Sequence, residues 1–452
     1  KHFAAAVEAA SSTGGQITPP VLGAAAFLMI EFLNVPYQTI IAASIVPAFM
    51  HFFGVFMQVH FEAKRYGLRG LTEDEMPRLA ESLKMRWPTL IPLALLISIL
   101  VSGRTPYLAA FVGISSCAIV GMSTRVSGNQ LKNWALLLGM HVILMTIAFS
   151  DFGNENSTIK MVLFVVAVLT GAVAYIWGGV RGRIEPHVLV EALETGAKYA
   201  LAVGAAAATV GIVIGVVTLT GVGFKISYII TQAAQSISAV MGGVIPSDWM
   251  SLNTLTLLAA LIMTGLVCVL MGCGVPTTAT YIIMVTVAAP TLVGLGVEPL
   301  VAHFFVFYYG VLADITPPVA LAAYAAAGMA GSDPFKTGNT AFRLGLAKAL
   351  VPFVFVFSPS LLLVAKGFTW ESFIITFTGC IFGITLMAAS LSKFMFVEMK
   401  RWEQLSCLFA ALLMIAPSLT ASLVGVAMVI PMFINQWRRS KINETQTIRE
   451  ST

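Results

Sequence analysis

Ile17-Thr18-Pro19-Pro20-Val21 recurs, residue for residue, as Ile315-Thr316-Pro317-Pro318-Val319, and no other feature of the chain says as much about its architecture. Both copies lie in strongly apolar surroundings, flanked by glycines and alanines. Two consecutive prolines remove two backbone donors and clash with the preceding turn, so a membrane helix has to open there. An opened helix is tolerated in a membrane only where it is buried in protein or lines a watery cavity. Two such openings in corresponding halves indicate the central site of a secondary transporter.

The composition is that of a membrane protein. Of the 452 residues, 58% are hydrophobic and 10% are charged, and the mean hydropathy is +0.89. Soluble domains carry about 25% charged residues. Apolar stretches of about 20 residues, the length that crosses a bilayer, recur along the chain and predict about ten to twelve passes through a lipid membrane. The net charge of +5 is modest and fits cytoplasmic loops, so no nucleic-acid partner is expected.

The first repeat of the predicted transporter spans residues 1–61, with an unwound helix at residues 11–20. Its polar break, Ser11–Gln16, leads into the first Thr-Pro-Pro, and the apolar stretch Val21–Leu33 follows. At 1.5 Å per residue this stretch covers roughly 20 Å of a bilayer core about 30 Å thick, so it predicts a half-helix. Residues 62–87 are the most charged part of the chain and are interpreted as a cytoplasmic loop.

The second repeat is predicted at residues 181–350, after connecting scaffold helices at 88–180. Two apolar arms flank a tip rich in Gly, Pro and Thr at residues 272–280, which predicts a re-entrant hairpin. The second unwound helix is expected at residues 313–318. Scaffold helices and a polar tail at residues 351–452 complete the predicted organisation.

The two repeats differ in how much of each the sequence contains. Gly274, at the hairpin tip, precedes Thr316 along the chain. Moving back by the same distance from Thr18 leads upstream of residue 1. We therefore expect the hairpin of the first repeat to lie outside this sequence.

Opened helices offer a specific chemistry. Free carbonyls and Ser or Thr hydroxyls form a neutral oxygen cage suited to a small hard cation such as Na⁺, and the positive ends of half-helices attract an anionic group. The sequence supplies hydroxyls and exposed backbone at Ser11, Ser12, Thr13, Gly14, Gly15, Thr18, Gly272, Gly274, Thr277, Thr278 and Thr316. Asp314 is the carboxylate beside a break, and a charge there costs several kcal/mol unless it is compensated.

Simpler interpretations exist for each of these residues. A single Thr-Pro in a membrane helix is usually only a kink, but five identical residues in matching contexts argue for a shared role. Asp314 is either a functional carboxylate or one that caps a helix or faces water. His51, His60, His141 and His303 show no ligand spacing, so they are interpreted as structural rather than as a proton relay. The five cysteines are interpreted as small buried residues.

Three stretches, Glu8–Pro20, Gly272–Tyr281 and Ala302–Tyr324, resemble the large membrane subunit of tripartite ATP-independent periplasmic (TRAP) transporters. The resemblance is to the form that serves a TAXI-type binding protein and has its small and large membrane subunits fused. It implies an inverted-repeat carrier of the bacterial cytoplasmic (inner) membrane that works as an elevator, in which a transport domain slides against a scaffold.

The resemblance also implies the activity and the partners. A small organic acid would be imported by Na⁺ symport, after delivery by a periplasmic TAXI-type substrate-binding protein. A small membrane subunit would be fused upstream, beyond this sequence. No cofactor is expected other than the coupling ion, and no enzymatic activity.

The resemblance implies that Gly14–Pro19 and Gly272–Thr278, with Thr316 and Pro317, line the cation and substrate sites; it gives Asp314 no family role, and Asp314 is a candidate because it is a carboxylate beside a break. The expected cation ligands are Gly14, Gly15, Thr18, Pro19, Gly272, Gly274, Thr277, Thr316 and Pro317. The expected substrate ligands are Ser12, Thr13, Pro276, Thr278 and Asp314. Proton coupling through Asp314, a stand-alone carrier without a binding protein and an ion channel remain as alternatives.

Overall fold

The computed structural model describes residues 1–72, 75–76, 78–123, 139–145, 186–243, 250–415 and 419–451. Over these ranges the regular secondary structure is helical, and the strand-like pairing is limited to an isolated bridge between Phe394 and Glu398. The chain divides into two compact units, residues 1–69 with 206–452, and residues 70–205. The prediction of an all-α protein is confirmed.

The helices are numbered in chain order over the described residues. Those before residue 250 are α1 (His2–Ser12), α2 (Ala24–Leu33), α3 (Tyr37–Arg65), α4 (Leu79–Arg86), α5 (Ile91–Val101), α6 (Pro106–Ser123), α7 (Pro186–Thr220) and α8 (Val222–Gly242). Those after it are α9 (Leu252–Gly272), α10 (Thr277–Val287), α11 (Ala289–Gly294), α12 (Pro299–Ala313), α13 (Leu321–Ala330), α14 (Pro334–Leu346), α15 (Val351–Phe357), α16 (Trp370–Ser392), α17 (Arg401–Ile415) and α18 (Leu419–Ser451).

Several of these helices can cross a membrane. Among the described residues five are long and apolar enough, and two bent helix pairs bring the number to as many as seven. The five are Tyr37–Arg65, Leu252–Gly272, Thr277–Gly294, Trp370–Ser392 and Thr420–Ile442. Residues 124–138 and 146–180 of the predicted scaffold region lie outside the described residues, so the larger number of passes stays a prediction.

The first Thr-Pro-Pro interrupts the chain between α1 and α2. A short 3-10 turn, Thr13–Ile17, follows α1, and Thr18 is extended. Ser11 and Ser12 belong to α1, not to the polar break as predicted, because the helical ladder continues until the N–H of Thr13 bonds to the Ala9 carbonyl. The break is therefore shorter than the sequence suggested.

α3 extends further than predicted. It continues to Arg65, so Glu62 lies on the helix rather than in the charged loop assigned to residues 62–87. The Glu62 side chain is 1% exposed and pairs with Arg343 of α14. Burial of this carboxylate depends on that pairing, because an unpaired buried charge is strongly destabilising.

α9 and α10 correspond to the two arms of the predicted hairpin. They are joined by a tip of only Cys273–Pro276, because Thr277 begins α10 directly after the proline. Proline is well tolerated at a helix start, where no backbone donor is required. The three threonines expected in the tip, Thr277, Thr278 and Thr280, thus lie in the first turn of α10.

α12 occupies the interior of the larger unit. Its residues from Leu300 to Ala313 are all buried, as expected for a helix that is apolar on every side. It packs against α9, α10 and α15 and ends at the second Thr-Pro-Pro, beyond which α13 begins at Leu321. The second break is therefore held at the end of a fully enclosed helix.

Two groups of helices surround α3 in the larger unit. α1 packs against α13 and α14, whereas α16 packs against α17 and α17 against α18. α3 contacts both α14 and α16. In the smaller unit α5 and α6 pack against each other, and much of the predicted scaffold region at 88–180 lies outside the described residues.

Candidate functional site

The two breaks share one backbone pattern. The Oγ1 of Thr18 donates to the Gly14 carbonyl at 2.6 Å, and the Oγ1 of Thr316 donates to the Leu312 carbonyl at 2.8 Å. In each copy the threonine hydroxyl thus binds the carbonyl four residues back, one that the interrupted helix leaves without its usual partner. The repeated sequence therefore has a local structural meaning.

The same correspondence continues beyond the prolines. The N–H groups of Leu22 and Ala320 donate to the carbonyls of Thr18 and Thr316, both at 3.1 Å. Leu22 and Ala320 both have positive φ angles, of 57° and 38°. In each copy the chain turns back on itself before the half-helix α2 or α13 begins.

A tyrosine hydroxyl satisfies the carbonyl of the second proline in each copy. Tyr37 of α3 donates to Pro20 at 3.1 Å and to Val21 at 2.7 Å. Tyr324 of α13 donates to Pro318 at 2.7 Å. The two tyrosines do not hold equivalent places in the repeats, so the sequence repeat alone gave no signal for them.

Gln16 and Asp314 join the two breaks. They occupy equivalent places, each two residues before its threonine, and Gln16 Nε2 donates to Asp314 Oδ2 at 3.2 Å. Equivalent residues of the two copies are therefore in direct contact. Gln16 had no role in the sequence-based prediction, since the partner is distant in the chain.

The hairpin tip reaches the same carboxylate. Thr277, in the first turn of α10, donates its hydroxyl to Asp314 Oδ2 at 2.6 Å. Asp314 is 9% exposed, so its charge is stabilised mainly by these neutral donors. Asp314 is thus the point at which the first break, the second break and the hairpin meet.

Glycine is required where the tip packs against the second break. A Cβ added at Gly272 would lie 2.6 Å from the Cβ of Ala313 and 2.9 Å from the Cγ2 of Thr280. Gly274 has a φ of +79°, and a Cβ there would lie 3.1 Å from Val319. The close approach of hairpin and break explains why two glycines stand at the tip.

A buried lysine lies behind the first break. Lys348 and His51 are each 1% exposed, and Lys348 Nζ lies 2.9 Å from His51 Nε2 and 3.0 Å from the carbonyl of Ala10 in α1. A Cβ added at Gly14 would lie 2.5 Å from His51 Nε2, so the imidazole separates the lysine from the break. The sequence analysis did not identify Lys348, which stands alone in an apolar run.

Two of the predicted ligands, Thr277 and Asp314, are in contact at the second break, and a third, Thr316, follows Asp314 by two residues. Thr277, Asp314 and Thr316 are 7%, 9% and 6% exposed, and the carboxylate and hydroxyl oxygens are the donor type that suits a small hard cation.

The remaining predicted ligands lie around the breaks with differing exposure. Thr13 is buried and its Oγ1 donates to the Ala10 carbonyl at 3.2 Å. Ser12, Gly15 and Pro276 are exposed. The residues with intermediate exposure are Thr18, Pro19, Thr278 and Pro317.

The comparison with protein families is unambiguous. The model of the family described as "Tripartite ATP-independent periplasmic transporter, DctM component" matches residues 1–178 and 123–370. No curated protein and no solved structure matches the chain. The matched residues make up well over half of the chain, and they include both Thr-Pro-Pro breaks and the hairpin tip. The chain therefore belongs to the DctM family of TRAP transporters and is a membrane permease component rather than an enzyme.

Proposed function

We propose that this permease imports a small organic acid by symport with Na⁺. The observation that carries the proposal is the meeting of both breaks and the hairpin at Asp314. A carboxylate held there by neutral donors provides a site for a cation at the point where the two repeats touch. A cation bound at this point can therefore affect both breaks at once.

The proposed cation ligands of the second break come from two segments. Thr277 belongs to α10, whereas Asp314 and Thr316 follow α12. A cation that bridges these segments would hold the hairpin against the break. Gly272 packs tightly on Ala313, so the tip already lies against the second break.

We further propose that transport follows an elevator mechanism. α1, α13 and α14 pack on one another and carry both breaks, whereas α16, α17 and α18 form a separate packed group. The first group is the candidate for the moving domain and the second for the scaffold. α3, which contacts both groups, is the candidate for the element along which they slide.

The proposed setting is the cytoplasmic membrane of a bacterium. A periplasmic substrate-binding protein, of the TAXI type on the sequence resemblance, would deliver the organic acid. A small membrane subunit would complete the permease. The binding protein and the small subunit are proposed from membership of the TRAP family, whereas the TAXI type is proposed from the sequence resemblance alone.

Thermal unfolding of the purified protein in NaCl and in an equal concentration of choline chloride tests the coupling ion. A ligand at about 100 times its dissociation constant stabilises the folded state by about 2.7 kcal/mol, so an occupied Na⁺ site should raise Tm measurably. We expect a Na⁺-specific rise. Absence of that rise, together with a rise on acidification, would contradict Na⁺ symport and favour a proton-coupled carrier.

A further inference from the structure

We propose that the neighbouring ends of α3, α16 and α18 carry a binding site for the headgroups of anionic phospholipids. The site is the basic patch, which we define as the exposed side chains of Lys64, Lys393, Lys400, Arg401 and Arg438. The proposal goes beyond the proposed function and does not depend on the coupling ion, because none of these residues belongs to either break or to the hairpin.

Three candidate membrane spans end together at the basic patch. α3 ends at Arg65, α16 ends at Ser392, and the apolar span of α18 ends at Ile442. Arg65 donates to the Ser392 carbonyl and to the Glu398 carboxylate, both at 3.4 Å. Arg439 of α18 donates to the Glu398 carbonyl at 3.1 Å. These hydrogen bonds hold the three helix ends side by side, so the cations next to them lie at one end of the spans.

The carboxylates at these helix ends do not neutralise the basic patch. Each is engaged by an arginine outside the patch, in the pairs Glu62 with Arg343, Glu398 with Arg65, and Glu403 with Arg439. The ion pairs found among the described residues include no member of the patch. The five cations therefore give this end of the spans a local excess of positive charge.

Exposed aromatic and apolar side chains adjoin the basic patch. Trp402 and Trp437 are exposed, and each is next to a patch arginine in the sequence. Tryptophan is enriched in membrane proteins at the level of the lipid headgroups. Further into the span of α18, Phe433 and Ile434 are exposed as well. The patch is thus continuous with the apolar surface of a candidate membrane span, which favours a lipid over a soluble anion as its ligand.

The chemistry of the patch matches an anionic headgroup. Clusters of Lys and Arg next to a membrane span attract anionic lipids electrostatically. Ammonium and guanidinium groups also donate charge-assisted hydrogen bonds to phosphate oxygens. The ligand class is therefore a phospholipid of net negative charge, such as phosphatidylglycerol, and the bound headgroups would lie against the candidate scaffold group of α16, α17 and α18.

Spin-labelled lipids measure this preference directly. The full-length protein is reconstituted into phosphatidylcholine vesicles, and the motionally restricted fraction of labelled phosphatidylglycerol is compared with that of labelled phosphatidylcholine. We expect the wild type to favour phosphatidylglycerol by about twofold or more at low salt. The preference should fall as the NaCl concentration rises, because salt screens exposed charges. Equal binding of the two lipids at low salt would overturn the proposal.

A pair of substitutions tests whether the patch itself attracts the lipid. Lys393→Gln combined with Lys400→Gln removes two charges of the patch, and we expect at least half of the preference to be lost. Lys336→Gln combined with Lys366→Gln removes two charges from exposed lysines outside the patch. This matched control should keep the preference of the wild type. Losses of equal size in the two variants would show that net charge, and not the patch, attracts the lipid.

A soluble phosphate distinguishes a lipid site from a site for a free anion. Glycerol 3-phosphate, added at the concentration of the labelled lipid, should not displace labelled phosphatidylglycerol from the wild type. Displacement would assign the patch to a free phosphate and contradict the lipid assignment. If the double variant of the patch does not reconstitute, Arg438→Gln replaces it, with a smaller expected loss of preference against the same control.

Discussion

The two Thr-Pro-Pro breaks are alike in backbone and unlike in charge. Both threonine hydroxyls bind the carbonyl four residues back, and both chains reverse at a residue of positive φ. The first break, however, has a buried lysine behind it, and the second has a buried aspartate within it. The repeated residues thus give the two breaks the same backbone, while side chains outside the five identical residues make their surroundings different.

The largest expected effect follows from removing the carboxylate of the second break. Asp314→Asn keeps the size of the side chain but removes its charge, so we expect the Na⁺-specific rise in Tm to disappear and uptake to fall by about a hundredfold or more, as for a lost charged contact. The fall in transport is measured as the rate of uptake into proteoliposomes under a Na⁺ gradient.

Glu194→Gln is the control for this substitution. Glu194 forms an exposed ion pair with Lys198 at 2.6 Å, and such surface pairs contribute little. We expect the control to transport normally. If Asp314→Asn shows normal Na⁺ dependence, the carboxylate that distinguishes the second break from the first does not account for Na⁺ binding.

A second substitution tests the tight packing of the hairpin on the second break. Gly272→Ala would place a Cβ 2.6 Å from that of Ala313, and overpacking of this kind typically costs about 1–3 kcal/mol. We expect a clear fall in Tm.

Gly328→Ala provides a control of opposite sign. Gly328 lies in α13, and a Cβ there would have no neighbour within 4 Å. Alanine is favoured over glycine in a helix by about 1 kcal/mol, so Tm should rise or stay constant. A fall of equal size in both variants would show that the contact with Ala313 is not the cause.

The smallest expected effects concern the tyrosines that satisfy the proline carbonyls. Tyr37→Phe and Tyr324→Phe should each lower the free energy of unfolding by about 1 kcal/mol, the contribution of a typical hydrogen bond. Tyr37 is 6% exposed and contacts two carbonyls, so its loss should cost more. Chemical denaturation of the two variants gives the order, and a larger effect for Tyr324→Phe would contradict it.

The sequence predicted the parts of the fold that depend on local pattern. Proline pairs cannot continue a helix, so both breaks, the half-helix after each and the hairpin tip followed from residues close in the chain. Errors arose at two element boundaries. Ser12 stays helical because the hydrogen-bond ladder of α1 continues to Thr13. Glu62 is buried on α3, where Arg343 of α14 pairs with it.

The parts of the site that the sequence did not predict depend on distant contacts. Gln16 gained a role only through Asp314, and Lys348 only through α1 and α3. A lone lysine in an apolar run gives no indication of its partner. A search for unpaired charges in apolar stretches would have marked Lys348 as a candidate.

The buried lysine has a consequence for the energetics of the cycle. An ammonium on Lys348 and a carboxylate on Asp314 would carry opposite charges; Lys348 lies just after α14, which packs on α1, and Asp314 lies at the end of α12. If these elements move together across the membrane, the two charges move with them as a pair whose net charge is zero. The membrane potential, which acts at about 2.3 kcal/mol per charge per 100 mV, would then do work on the cargo alone, and we expect the return of the empty carrier to be insensitive to voltage.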